Sequence, residues 1–239
     1  MLIRVYLEEK ITTVGLEISL SEKQCNYLHN VLRLKTGDTF NVFDNQNGEF
    51  LAKISQITHK KGNIIIEKKL YEYEKSPDIW LLFAPLKKDK TDIVIQKSTE
   101  LGVRKIIPVI TDYTNSEKAR IDRYLSQCIE ASEQSRRTDI PEISQPWKLK
   151  DVIHNWEPDR VLFFLDESGA GENIFEILSK NKGKAAILVG PEGGFSQQEQ
   201  QELTKQPFVK KISLGKRILR AETAVISSLS CWQAINGDW

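Results

Sequence analysis

Two stretches of this chain bring glycine, carboxylate and guanidinium groups close enough together to do chemistry. The first is Ile187-Leu188-Val189-Gly190-Pro191-Glu192-Gly193-Gly194-Phe195-Ser196. The second is Leu214-Gly215-Lys216-Arg217-Ile218-Leu219-Arg220-Ala221-Glu222-Thr223-Ala224. Each is an apolar run that stops at a glycine and opens into a loop before a helical pattern. Junctions of that kind form ligand sites at the carboxyl edge of α/β sheets. Glycine tolerates positive φ and lets a ligand approach the backbone. The spacing is neither the G-x-x-x-x-G-K-[ST] phosphate loop nor the G-x-G-x-x-G dinucleotide fingerprint. Ser196-Gln197-Gln198-Glu199 matches a capping box, so a helix should start just beyond the first loop. In the second stretch Arg217, Arg220 and Glu222 precede an apolar helical pattern carrying Val225, Ile226, Leu229, Trp232 and Ile235. Plainer readings stay open here. The first loop also fits a tight strand-to-helix turn, and Glu222 also fits a helix N-terminus flanked by solvated arginines.

Composition narrows the classes of function. Of 239 residues, 40% are hydrophobic and 28% charged, the balance of a soluble globular chain with a real core. The 34 lysines and arginines nearly cancel the 33 acids, so net charge does not announce a nucleic-acid partner, although local clusters can still form a basic face. Lys87 with Lys90, Arg136-Arg137 and Lys210-Lys211 each read singly as solvated surface. If the first two clusters fold near the glycine loops, they form a basic rim. The first ten residues contain no apolar core and acquire acids at once, and no apolar run reaches the length of a membrane span. The expectation is a cytoplasmic chain without membrane contact. Cys25, Cys128 and Cys231 are scattered, as are His29, His59 and His154. They suggest neither a disulfide framework nor a metal site, and no metal is expected.

The elements that must position the loops follow from the hydrophobic rhythm. Over residues 1–72, Ile3–Leu7, Thr39–Asp44, Glu49–Ile54 and Asn63–Glu67 read as strands, with turns at Lys35–Asp38 and Asn45–Gly48. Ser21 with Gln24 should cap a helix running to Leu32. Short strands plus one helix predict a small closed barrel, and Arg33 and Lys35 beside Gly37-Asp38 give it an edge suited to RNA. Residues 73–78 are polar, end at Pro77-Asp78 and read as a linker. From 79 to 239 the pattern alternates. Ile79–Ala84, Lys105–Ile110, Val161–Asp166 and Ala185–Gly190 are apolar strand-like runs. Asp92–Gly102, Ile121–Ser135 and a segment around Ile174–Ser179 are helical. This predicts an α/β domain whose mostly parallel sheet is covered on both faces.

Taken in order, the two glycine motifs resemble the signature of the RsmE family, SPOUT-class methyltransferases of 16S ribosomal RNA. His29-Asn30-Val31-Leu32-Arg33-Leu34-Lys35-Thr36-Gly37-Asp38, Gln96-Lys97-Ser98-Thr99-Glu100-Leu101-Gly102-Val103 and Glu130-Ala131-Ser132-Glu133-Gln134-Ser135-Arg136-Arg137 extend the resemblance along the chain. It implies a PUA-like N-terminal β-barrel that helps bind RNA. It also implies a SPOUT-type C-terminal domain with a trefoil knot, which general rules of connectivity would not suggest. The implied activity is S-adenosylmethionine-dependent methylation of N3 of a uridine in the decoding region of 16S rRNA, in the small ribosomal subunit, by a homodimer.

Uracil N3 is a weakly acidic imide that must lose its proton for attack on the methyl sulfonium. A cation would stabilise the developing negative charge and a carboxylate would take the proton. Under the resemblance Arg220 or Arg217 is the cation and Glu222 the base, with Glu192 competing. The cofactor would be lined by Leu165, Gly190, Pro191, Glu192, Gly193, Gly194, Leu214, Gly215, Ile218, Leu219 and Thr223. RNA phosphates would meet Arg33, Lys35, Lys87, Lys90, Arg136 and Arg137, with the target base splayed from its stack. A ribose 2′-O-methylating SPOUT enzyme is disfavoured by Leu219-Arg220-Ala221-Glu222-Thr223-Ala224. A noncatalytic RNA-binding assembly factor is disfavoured by the intact Gly190, Gly193, Gly194, Arg220 and Glu222.

Overall fold

The computed structural model describes residues 3–114, 119–166 and 171–239. The chain packs as two units. One gathers Met1–Lys75 with Ser132–Asp139, the other Ser76–Ala131 with Ile140–Trp239. Nothing in the hydrophobic rhythm places Ser132–Asp139 with the N-terminal unit.

In that unit β1 (Arg4–Tyr6), β2 (Glu17–Ser19), β3 (Thr39–Phe43), β4 (Glu49–Ile57) and β5 (Gly62–Tyr71) form one sheet in the order β1-β3-β4-β5-β2. Val42, Phe50, Ala52, Ile54, Ile64 and Ile66 are all buried, with inward residues recurring at the strand period of two. Among the described residues no β1–β2 ladder closes the expected barrel. The capping box at Ser21 and Gln24 is present, yet α1 covers only Glu22–Asn26. The chain then widens into a π-helical turn, Tyr27–Val31, and Arg33 follows in the left-handed region at φ 58°. The single helix expected to Leu32 is therefore corrected.

Arg4 explains why Ser132–Asp139 joins this unit. Its buried guanidinium pairs with Glu49 at 2.8 Å and donates to the carbonyls of Ser132, Glu133 and Arg137. Those carbonyls lie at and just beyond the end of α3 (Ile121–Ser135), where a helix leaves acceptors unsatisfied.

The second unit carries β6 (Ile79–Phe83), α2 (Lys88–Glu100), β7 (Lys105–Ile110), β8 (Glu142–Ile143), β9 (Trp147–Lys148), α4 (Leu149–His154), β10 (Val161–Leu165), β11 (Glu172–Asn173), α5 (Ile174–Lys180), β12 (Ala185–Val189), α6 (Gln197–Thr204), β13 (Val209–Ser213) and α7 (Ala221–Asn236). The sheet order is β11-β13-β10-β12-β6-β7-β8, with β9 also beside β7, and every pair is parallel. Alternate residues of the apolar runs serve opposite faces. Leu81, Phe83, Phe163, Ile187 and Val189 meet α2, α3, α5 and α7, while Leu82, Phe164, Ala186 and Leu188 meet α4 and α6. Burial on both faces is why these strands read as unbroken hydrophobic runs. Among the described residues no helix is long and apolar enough to cross a membrane, and no cluster of His, Cys, Asp and Glu is arranged to hold a metal.

Candidate active site

Because β10, β12 and β13 are parallel, their carboxyl ends converge on one edge of the sheet, where such folds place ligands. A cavity of about 260 Å³ opens there, bounded by Leu165, Gly190, Pro191, Glu192, Gly194, Leu214, Gly215, Arg217, Ile218, Leu219 and Arg220. The two glycine stretches thus meet on one cavity. Among the residues anticipated from sequence, Gly193, Glu222 and Thr223 do not line it: Gly193 lies against Tyr113, and Thr223 is exposed on the first turn of α7.

The first loop is firmly held. A Cβ on Gly190 would come within 2.6 Å of the Phe195 ring, so only glycine fits there. Phe195 is buried and meets Phe164 edge-on at 5.0 Å. The Gly194 amide donates to the Pro191 carbonyl at 2.9 Å, and Ser196 caps α6 in the expected capping box with Glu199. Glu192 pairs with Lys90 at 2.8 Å, and the hydrogen bond from Lys90 holds its carboxyl below the usual range. Lys90 is thereby tied to a carboxylate, while Lys87 stands exposed at the start of α2.

The second loop is open. Gly215 takes φ +106°, a conformation side chains avoid, and its amide donates to Ser213 Oγ at 3.2 Å. Lys216, Arg217 and Arg220 are exposed, and Ile218 is 82% exposed. Neither the Arg217 nor the Arg220 guanidinium has an ion pair or hydrogen bond within the described residues. Arg220 occupies the N-cap of α7 with extended backbone, so Glu222 falls in the helix's first turn. One oxygen of Glu222 is buried without a hydrogen-bond partner. Such groups are rare in folded proteins and call for an explanation.

Asp166 was not anticipated. Its nearly buried carboxylate faces the cavity at the end of β10 and pairs with Lys211 at 2.9 Å. Lys211 is therefore a strand residue with a partner rather than solvated surface. The available signal was an acid directly after the apolar run Val161–Leu165, the position at which the glycine loops also begin.

The remaining basic residues divide. In the N-terminal unit Arg33, Lys35 and Arg136 are exposed, Arg136 at φ 65° just past the end of α3. Arg137 corrects the expected phosphate contact: its side chain is only 7% exposed and grips the Asp139 carboxylate with both Nε and Nη2. Burial leaves it no face for a phosphate. The thiols of Cys25 and Cys231 are pushed up by burial, which disfavours thiolate nucleophiles.

Two family descriptions match the chain. Residues 74–233 match a family described as an RNA methyltransferase domain, and residues 20–67 match an RNA methyltransferase PUA domain. The Ribosomal RNA small subunit methyltransferase E of Rickettsia conorii is 32% identical over 229 residues, covering 95% of this chain and 93% of that protein. The protein of that name from Bacillus subtilis is 28% identical, covering 89% and 88%. Among solved structures, Ribosomal RNA small subunit methyltransferase E from Neisseria gonorrhoeae, bound to S-adenosyl methionine, superposes with a TM-score of 0.91 at 27% identity over the whole of both chains. A Legionella pneumophila protein in complex with the cofactor SAM gives 0.92 at 30% identity, again over both whole chains.

Proposed function

The chain belongs to the SPOUT-class RNA methyltransferase family that contains the ribosomal RNA small subunit methyltransferases E, and from that premise we propose that it methylates N3 of a uridine in the decoding region of 16S rRNA, acting in the cytoplasm as a homodimer. Its cofactor is S-adenosylmethionine.

The cavity suits that cofactor by its chemistry. Leu165, Leu214, Ile218 and Leu219 offer apolar walls for a purine. The glycine-bearing loops present main-chain groups for its polar edges, and a Cβ on Gly215 would meet nothing within 4 Å, so the backbone there is open to a ligand. When bound, the cofactor supplies an electrophilic methyl group on a sulfonium. The chain's own residues must do the rest. Arg220, with Arg217 beside it, places at the cavity a positive charge unpaired among the described residues, where negative charge on a uracil ring losing its imide proton is stabilised. Glu222, the second residue of α7, directly follows the cavity-lining Arg220 and Ala221, and its unpartnered carboxylate oxygen is the candidate recipient for the N3 proton once substrate is bound. Glu192 fits that role less well, because Lys90 already occupies its carboxylate. The reaction needs no covalent nucleophile.

The observation that carries this reading is the convergence of two glycine loops on one cavity lined also by the exposed Arg217 and Arg220, which have no partner among the described residues. Mass spectrometry of digested rRNA from a strain lacking the protein tests it. N3-methyluridine should disappear and return with the plasmid-borne gene. Loss of a ribose methyl instead, or an unchanged nucleoside profile, would sink the assignment. Calorimetry adds a second check, since a noncatalytic RNA-binding factor would take up no S-adenosylmethionine at micromolar concentration.

A further inference from the structure

Tyr113 has no part in the chemistry above, yet the structure presents it with care. It follows β7 on the sheet's carboxyl edge and is 51% exposed. The turn that carries it is fixed at both ends. The Thr114 amide donates to the Thr111 carbonyl at 3.1 Å, the Thr111 amide donates to Thr114 Oγ1 at 2.8 Å, and the two threonine hydroxyls bond at 2.9 Å. Between them Asp112 is tied to the start of α6. Its amide donates to the buried Glu199 carboxylate at 2.9 Å and its carboxylate accepts from the Ser196 hydroxyl. One flank of Tyr113 rests on the first glycine loop, where a Cβ on Gly193 would lie 3.4–3.7 Å from its Cβ, Cγ and Cδ2. Gly193 thus packs beside this tyrosine and does not line the cavity. An aromatic ring so anchored, with half its surface in water beside the reaction cavity, differs from the singly scattered apolar side chains normal on protein surfaces.

A second cleft continues from the same turn. It holds about 480 Å³ and is lined by Thr111, Asp112, Lys148, Lys150, Glu199 and Glu202, among others. Lys148 pairs with Ile110 in the β7–β9 ladder, and Lys150 stands in the first turn of α4. Both lysines are exposed and have no ion pair within the described residues. The acids nearby are engaged: Glu199 by two amides, Asp112 by the Ser196 hydroxyl and Glu202 by the Gln198 side chain.

We infer that Tyr113 is a stacking platform for the base of an unpaired nucleotide adjoining the methylated one, with Lys148 and Lys150 receiving the phosphates of that same strand. The inference rests on the reading of the cavity as an RNA methyltransferase site. Every base has a π-face, and aromatic stacking is the usual way proteins hold splayed single-stranded nucleotides. A base drawn into the cavity separates from its neighbour, and Tyr113 replaces the lost stacking partner.

The test is affinity for a fluorescently labelled single-stranded RNA oligonucleotide carrying the target uridine and its flanking sequence, measured by anisotropy with no methyl transfer required. Tyr113→Ala should weaken binding roughly tenfold, the loss expected of one base–aromatic stack, while Tyr113→Phe stays within about twofold. The Lys148→Ala/Lys150→Ala double variant should instead flatten the dependence of log affinity on log salt by about 1.4, the change for two phosphate contacts on a single strand. Tyr113→Ala should leave that slope, and the S-adenosylmethionine affinity, unchanged. Unaltered RNA affinity in Tyr113→Ala, or equal loss in Tyr113→Phe, overturns the inference. A wild-type protein that shows these Tyr113 and lysine effects on the oligonucleotide but modifies no rRNA would break the functional reading and reduce this one to a stacking contact with single-stranded RNA.

Discussion

The two glycine loops begin as equivalent features of the sequence and end as opposites in the structure. The loop from Gly190 to Ser196 is bound on all sides: Phe195 is buried beneath Gly190, Gly194 bonds back to Pro191, Ser196 caps a helix and Glu192 is held by Lys90. The loop from Leu214 to Arg220 has exposed guanidiniums without a partner among the described residues, and the Ser213 hydroxyl bonds both the amide and the carbonyl of Gly215. One loop is a fixed wall and the other presents unengaged charge to the same cavity. A shared motif composition therefore does not imply a shared task. In a site where one substrate is a large RNA, the side chains left without partners inside the protein are those free to engage it.

The widest gap between the loops should appear in catalysis. Arg220→Ala and Glu222→Gln are each expected to lower the rate of methyl transfer to small ribosomal subunits by about 10²-fold or more, the usual cost of losing a charge-stabilising donor or a general base. Neither should change thermal stability much, because among the described residues the Arg220 guanidinium makes no bond, its carbonyl bond to the Ala224 amide survives truncation, and Glu222 leaves an oxygen unpartnered. Single-turnover kinetics beside a thermal melt would check both statements. Near wild-type rates in both variants would show that the open loop is not where the chemistry occurs.

A smaller contrast separates the glycines. Gly190→Val drives a branched side chain into the Phe195 ring and should cost about 1–3 kcal/mol of stability, with loss of cofactor affinity. Gly215→Ala meets no neighbouring atom within 4 Å, so only its φ of +106° opposes the new methyl group and the expected cost is about 1 kcal/mol. Chemical denaturation with calorimetric titration of S-adenosylmethionine would rank the two. The reverse order would mean that the open loop is the structural one.

The sheet was legible where burial on both faces forces unbroken apolar runs, as in Ile79–Phe83, Val161–Leu165 and Ala185–Val189. β13 was not, because Val-Lys-Lys-Ile-Ser carries two lysines, one of which finds its partner only when the fold delivers Asp166. Local capping signals at Ser21 and Ser196 transferred directly, since a capping box needs only residues three apart. The membership of Ser132–Asp139 in the N-terminal unit was hidden for the opposite reason, because it depends on Arg4, far earlier in the chain, reaching the end of α3. The candidate site follows the same rule. The glycines and arginines that line its cavity stand together in the motifs, whereas Asp166 reaches it only in a fold that also delivers Lys211.

The tie between Lys90 and Glu192 sets the smallest effect and the finest distinction. Both side chains are about three-tenths exposed, so solvent screens the pair and Lys90→Met should cost no more than about 1 kcal/mol, less in high salt. The sign with pH follows from the lowered carboxyl of Glu192. The pair's contribution is complete above the carboxylate range of the unfolded chain and is lost as pH falls through the lower native value, because protonation removes the charge that Lys90 holds. Wild type and Lys90→Met should therefore differ at neutral pH and converge in acid, a trend that denaturation at several pH values would measure. Glu192→Gln then separates wall from chemistry. With its carboxylate already engaged, Glu192 acts as part of the fixed loop, so this variant should retain methyl transfer within a few-fold. A collapse in rate comparable to that of Glu222→Gln would move the base from the open loop to the fixed one.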